Sequence, residues 1–119
     1  GAFLHNIYFP QLRSPRNANS PSGAVKTLLD KHFGSYIDFQ KDIKDEAMGL
    51  QGSNWIYLSY SGKIKTIKNH AIRRDICLLI DWWEHAWMGT DKVKYINNIW
   101  RIINWEHINK RLSGGVSDE

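Results

Sequence analysis

The chain has 119 residues, the size of one domain. It is 42% hydrophobic and 24% charged, the balance of a soluble globular domain, and no apolar run approaches the ~20 residues of a membrane helix. The net charge of +4 suits an anionic partner (nucleic acid, an anionic membrane surface or a small anion) and is too modest to choose among them.

The opening stretch, GAFLHNIYF, spaces Leu4, Tyr8 and Leu12 as an amphipathic helix does and does not look like a signal peptide. Phe9-Pro10 predicts the helix end, because the residue before a proline avoids the helical region. Residues 13–23, RSPRNANSPSG, read as a linker. A helix is expected next, with Val25, Leu28, Leu29 and Phe33 as its apolar stripe. Gly34 should cap its end and Ser35 should start another helix, with Ile37, Ile43 and Ala47 on one side. The period then changes. Trp55, Tyr57 and Ser59 alternate with Ile56, Leu58 and Tyr60, Ser61-Gly62 makes a tight turn, and KIKTIKNH resumes the strand as a hairpin. ICLLID, 76–81, reads as a central buried strand. Its Cys77 is the only cysteine, which excludes an internal disulfide and fits a buried core thiol. Residues 91–112 return to helix, with Tyr95, Ile99, Ile102 and Ile103 on the apolar face, and 114–119 form a loose polar tail. Helices, a small antiparallel sheet, then helices place the chain in the α+β class.

The chemistry gathers in DWWEHAW, 81–87. Asp81 ends the buried strand and His85 follows four residues on, so a strand end turning into a short helix can aim both at one point. A carboxylate and an imidazole on one centre suit Zn, Fe or Mn. Trp82, Trp83 and Trp87 would then be the dry wall of a metal site, lowering the local dielectric and tuning bound solvent. Spacing alone favours a hydrogen-bonded pair at a strand end, because D-x-x-x-H is a weak signal. His5 lies on an apolar helical face, where a lone histidine is more often a core group than a ligand. His70 closes the second strand of the hairpin. His32 and His107 fall on polar helix faces and are expected to be solvated. No Ser-His-Asp or Cys-His nucleophile, CxxC, Walker loop or GxGxxG is present.

Four blocks taken together resemble the iron/manganese superoxide dismutase family. DWWEHAW resembles its D-x-W-E-H-A-Y signature and GSNWIYL its G-S-G-W-x-W-L. NNIWRIINWEHINKR resembles the W-x-x-I-N-W-x-x-V-x-x-R block, matched at Trp100, Ile103, Asn104, Trp105, Ile108 and Arg111. LHNIYFPQL resembles the N-H-x-x-Y/F-W-x-x-L end of the family's second helix. The blocks run in the family's order and cover most of the chain.

The resemblance implies a three-stranded antiparallel sheet packed with helices. It divides the chain into the end of an N-terminal-domain helix (1–12), a linker (13–23), the C-terminal domain (24–113) and a disordered tail (114–119). It implies one Fe or Mn per chain, held by His5, Asp81 and His85. His70 falls where manganese-type members carry an outer glutamine, and would hydrogen-bond the metal-bound solvent. Trp55, Tyr57 and Trp83 match the aromatic shell, and Glu84 the glutamate that crosses a homodimer to the partner's ligating histidine. The implied reaction is disproportionation of two superoxide anions, with two protons, to O2 and H2O2 by a redox-cycling metal in a homodimer. The absence of targeting and membrane segments predicts a cytoplasmic protein with no membrane partner, and a nucleic-acid partner is not expected.

The sequence departs from the family pattern in several places. It lacks the family's opening helical hairpin, which supplies the first metal histidine and an active-site tyrosine, so it reads as a fragment or shortened member. Met88 stands where the family usually has tyrosine, the loop after His85 is about three residues short, and Leu4 replaces an asparagine. A different reading is a non-catalytic scaffold of the same fold, with the lysines of KIKTIK as a binding face. A zinc hydrolase using Glu84 as base is the third.

Overall fold

The computed structural model describes residues 2–50, 54–68, 73–82 and 91–114. Helix α1 spans Ala2–Tyr8 and passes into a 3-10 turn, Phe9–Gln11, at the proline that ends it. Residues 13–22 run without helix or strand. Helices α2 (Gly23–Phe33) and α3 (Tyr36–Gly49) follow. Strands β1 (Asn54–Ser59), β2 (Ile64–Ile67) and β3 (Ile76–Trp82) come next. Helix α4 (Lys92–Asn98), a 3-10 turn (Ile99–Ile102) and helix α5 (Trp105–Leu112) complete the order. The α+β expectation holds.

The joints follow local rules. Gly34 ends α2 at φ +94°, where a side chain would be strained, and the Ser35 hydroxyl accepts from the Asp38 N–H at 3.0 Å to start α3. At the hairpin Gly62 has φ +83° and the His32 ring lies 2.2 Å from where a Cβ would be, so this turn requires glycine twice over. The start of α2 is capped from far away. Asn109 Oδ1 accepts from the Val25 N–H at 2.7 Å, and Asn109 Nδ2 donates to the Ser22 carbonyl at 2.8 Å.

The sheet has the order β2-β1-β3, with both pairings antiparallel. Strand β1 is therefore the central strand. β3, expected in the centre, is buried along its whole length but lies at the edge. Continuous apolar sequence reports coverage of both faces and says nothing about neighbours in the sheet. Side chains, described below, take the place of a neighbour on the outer edge of β3.

The two faces pack differently. Ile56, Leu58, Leu78 and Ile80 join Val25, Leu29, Phe39 and Ile43 and the α4–α5 residues Ile96, Trp100 and Ile108 in the larger core. Trp55, Tyr57, Ile67 and Leu79 join Leu4, Ile7 and Tyr8 of α1 in the smaller one. The alternation expected along β1 is therefore correct. Burial on α3 is carried by Phe39, Ile43 and Ala47, whereas Ile37 is 74% exposed. Ile37 lies two residues, about 200° of helical rotation, from Phe39, which puts it on the other side.

The expected single helix over 91–112 is two helices. Gln11 and the 13–22 segment claim the backbone between them: Arg13 N–H donates to the Ile102 carbonyl at 2.7 Å, and Asn104 N–H to the Gln11 carbonyl at 2.6 Å. Asn19 Nδ2 donates to the carbonyls of Trp100 and Ile103, both at 2.8 Å. The Asn104 side chain then accepts from the His107 N–H and caps a new helix. His107, expected to be solvated, is half-buried there, and His32 is exposed.

Candidate metal centre

His5 is placed by α1 on the face that meets the sheet. Its half-buried ring lies edge-on to the Trp55 indole at 5.2 Å and stacks on Phe9 at 5.4 Å. Phe9 itself is 61% exposed. Asp81 is placed by β3 directly opposite Trp55 of β1, and only 4% of it is exposed. Directly opposed residues on one sheet face stand about 5 Å apart at Cβ. The imidazole and the carboxylate, 76 positions apart in sequence, thus border the same buried indole. Tyr8, three residues after His5, also meets Trp55 edge-on at 5.7 Å. Burial pushes the Tyr8 hydroxyl up, and the Asp81 charge nearby pushes in the same direction.

Tyr57, next along this face, donates its hydroxyl to Asp75 Oδ1 at 3.0 Å. Burial first, then that bond, push its pKa up to about 12. Lys65, opposite Tyr57 on β2, holds the other oxygen of Asp75 at 2.7 Å. Behind the site a buried cation joins three elements. Arg111, 3% exposed, donates to Gln11 Oε1 at 2.8 Å, to the Cys77 carbonyl at 3.0 Å and to the Ile7 carbonyl.

Of the expected site residues, His5, Asp81, Trp55 and Tyr57 come together on one face of the sheet. His70, Trp83, Glu84 and His85 lie outside the described residues. Among the described residues no three His, Cys, Asp or Glu side chains group together. The donors in view, one imidazole and one carboxylate against an aromatic wall, are a chemical fit to Fe or Mn. Sequence reasoning passed over Tyr8 and Tyr95. Tyr8 was within its reach, because a residue three after His5 shares its helix face.

A family model described as iron/manganese superoxide dismutases, C-terminal domain, matches residues 21–111. The chain belongs to this family. Family members similar to it include the superoxide dismutase [Fe] of Pyrobaculum aerophilum, 28% identical over 100% of this chain and 63% of the relative. The superoxide dismutase [Mn] of Mycolicibacterium smegmatis is 30% identical over 98% of this chain and 62% of its own length. The superoxide dismutase [Mn/Fe] of Aeropyrum pernix is 27% identical over 99% and 61%. The chain thus spans about three-fifths of the length of these curated relatives. The three-stranded antiparallel sheet with helices on both faces agrees with the family's C-terminal domain.

Proposed function

We propose that this chain is the metal-holding part of a superoxide dismutase, with His5, Asp81 and His85 as its ligands to one Fe or Mn. The observation that carries the reading is the approach of His5 and Asp81, from a helix and a strand far apart in sequence, to one buried indole. Relatives named for Fe, for Mn and for both metals support this choice of cofactor. A bound metal would supply the electron exchange by which one superoxide is oxidised to O2 and a second, taking up two protons, is reduced to H2O2.

The chain's own residues do the rest. The Asp81 carboxylate offers a hard anionic oxygen and partly neutralises the cation. Trp55 excludes water on one side, which strengthens every charge interaction in the site. His70 takes the proton-holding role next to bound solvent, and Trp83 extends the aromatic wall. Glu84 reaches the ligating histidine of a second copy in a homodimer. A net charge of +4 favours capture of an anionic substrate. No described helix is long and apolar enough to cross a membrane.

The test is metal content after expression with added iron and manganese, followed by superoxide consumption. The expected result is about one Fe or Mn per chain, lost in Asp81→Ala and in His5→Ala while the fold persists by circular dichroism. Wild-type protein without either metal, or variants that keep it, would overturn the assignment.

A further inference from the structure

On β3 the main-chain groups of Cys77, Leu79 and Asp81 take partners outside the sheet. The Cys77 carbonyl accepts from Arg111 at 3.0 Å. Leu79 exchanges two bonds with the Gln11 amide, at 2.5 and 3.1 Å, as a neighbouring strand would. The Asp81 carbonyl accepts from the Tyr95 hydroxyl at 2.7 Å. The period of two is that of a strand edge, so side chains from three elements replace the absent strand.

Tyr95 does more than close an edge. Its ring packs on Trp82 at 5.8 Å. Its hydroxyl bond ties α4 to the main chain of a proposed metal ligand, Asp81.

We propose that Tyr95 is a positioning residue that holds the strand carrying Asp81 from its outer edge and so fixes the direction of that metal ligand. The proposal rests on the metal-holding reading above. Strand β3 is held on its inner edge by its pairing with β1, and at residue 81 on its outer edge by Tyr95. With both edges held, the strand cannot roll about its axis, and the direction of the carboxylate is fixed. A ligand that can roll spends part of its time off the metal. Outer partners of ligands commonly change metal affinity 10–100-fold for this reason.

The experiment compares wild type with Tyr95→Phe and Tyr36→Phe. Tyr36 is a control hydroxyl in the other core, near Trp100 and Trp105. Mn2+ affinity is measured by competition with a chromogenic chelator. The 13C resonance of the Asp81 carbonyl is followed in the metal-free protein. Tyr95→Phe should weaken Mn2+ binding about tenfold and move the Asp81 resonance. Tyr36→Phe should change neither readout. Unchanged affinity and an unmoved Asp81 resonance in Tyr95→Phe would overturn the proposal, as would an equal loss of affinity in Tyr36→Phe. Should wild type bind no Mn2+ or Fe2+, the metal-holding reading fails. The carbonyl resonance then decides the geometric half alone: movement in Tyr95→Phe upholds the positioning role, and no movement removes it. If Tyr95→Phe does not fold, 3-fluorotyrosine at position 95, which keeps the bond but alters its donor strength, carries the same two readouts.

Discussion

On the helix-packed face of the sheet, Ile56, Leu58, Leu78 and Ile80 meet Val25, Leu29, Phe39 and Ile43. On the other face Trp55 and Tyr57 share their surroundings with His5, Tyr8 and the carboxylate of Asp81. The first face is mostly aliphatic and fully sealed. The second carries an imidazole, a buried carboxylate, tyrosine hydroxyls and, at its margin, the Arg111 guanidinium. One strand supplies both faces by alternation, so a single-residue slip of β1 would exchange them. The difference separates two jobs: the sealed face supplies cohesion, and the polar face holds groups whose value lies in direction more than in burial.

Substitutions can break that comparison, beginning with the largest effect. Phe39→Ala, in the sealed core against Phe33 and Trp100, should cost about 3–5 kcal/mol in urea unfolding. Metal content of the molecules that remain folded should not change. Loss of metal in that folded fraction would mean that the faces are coupled. Arg111→Met should cost on the order of 3 kcal/mol, because it strips a cation from three buried acceptors. Unlike Phe39→Ala it should also weaken metal binding, since Ile7 and Gln11 belong to the chain that carries His5. A purely destabilising Arg111→Met would put the guanidinium with the sealed face instead.

Smaller effects sharpen the picture. Asn109→Ala removes the cap of α2 and should cost about 1–2 kcal/mol by thermal unfolding, with no change in metal affinity. Asp75 is the mildest case. Its carboxyl is held below the usual range, first by Lys65, against the opposing effect of burial, and further by Tyr57. A depressed carboxyl contributes stability above its unfolded pKa, and the contribution fades as pH falls through the folded value. Stability should therefore drop below about pH 4, and Asp75→Asn should flatten that part of the curve. The pair is well exposed, so the effect should stay under about 1 kcal/mol. At the alkaline end Tyr57 stays protonated while unfolded tyrosines ionise, so stability should fall as pH rises from about 10 towards about 12. Tyr57→Phe should reduce that slope.

Much of this was legible in the residues. Gly34-Ser35 marked a helix end and a helix start, because only certain residues tolerate those backbone angles. The alternation along 55–60 assigned the two sheet faces correctly. The gathering of His5, Asp81, Trp55 and Tyr57 was legible through four blocks in family order. What escaped was non-local. Nothing in ICLLID tells an edge strand from a central one when a glutamine, an arginine and a tyrosine from elsewhere satisfy its outer edge. The break at Ile103-Asn104 escaped for the same reason: the apolar period ran through it, and the competing donors came from residues 11 to 19. Tyr95 was read as part of an apolar stripe, which it is, but its hydroxyl has a separate task.

Asn109 is where the order of synthesis meets the fold. The turn at Val25 obtains its cap from a residue made 84 positions later. Arg111 closes onto Ile7 over 104 positions. A ribosome emits residues from the N-terminus, so α2 leaves it with its first amides uncapped, and α1 without the cation that ties it down. Helix α5 is thus the closing piece. A nascent chain halted at residue 104 would have all three described strands yet lack both clasps, and the sheet would stay open to proteases until the two turns of α5 emerged.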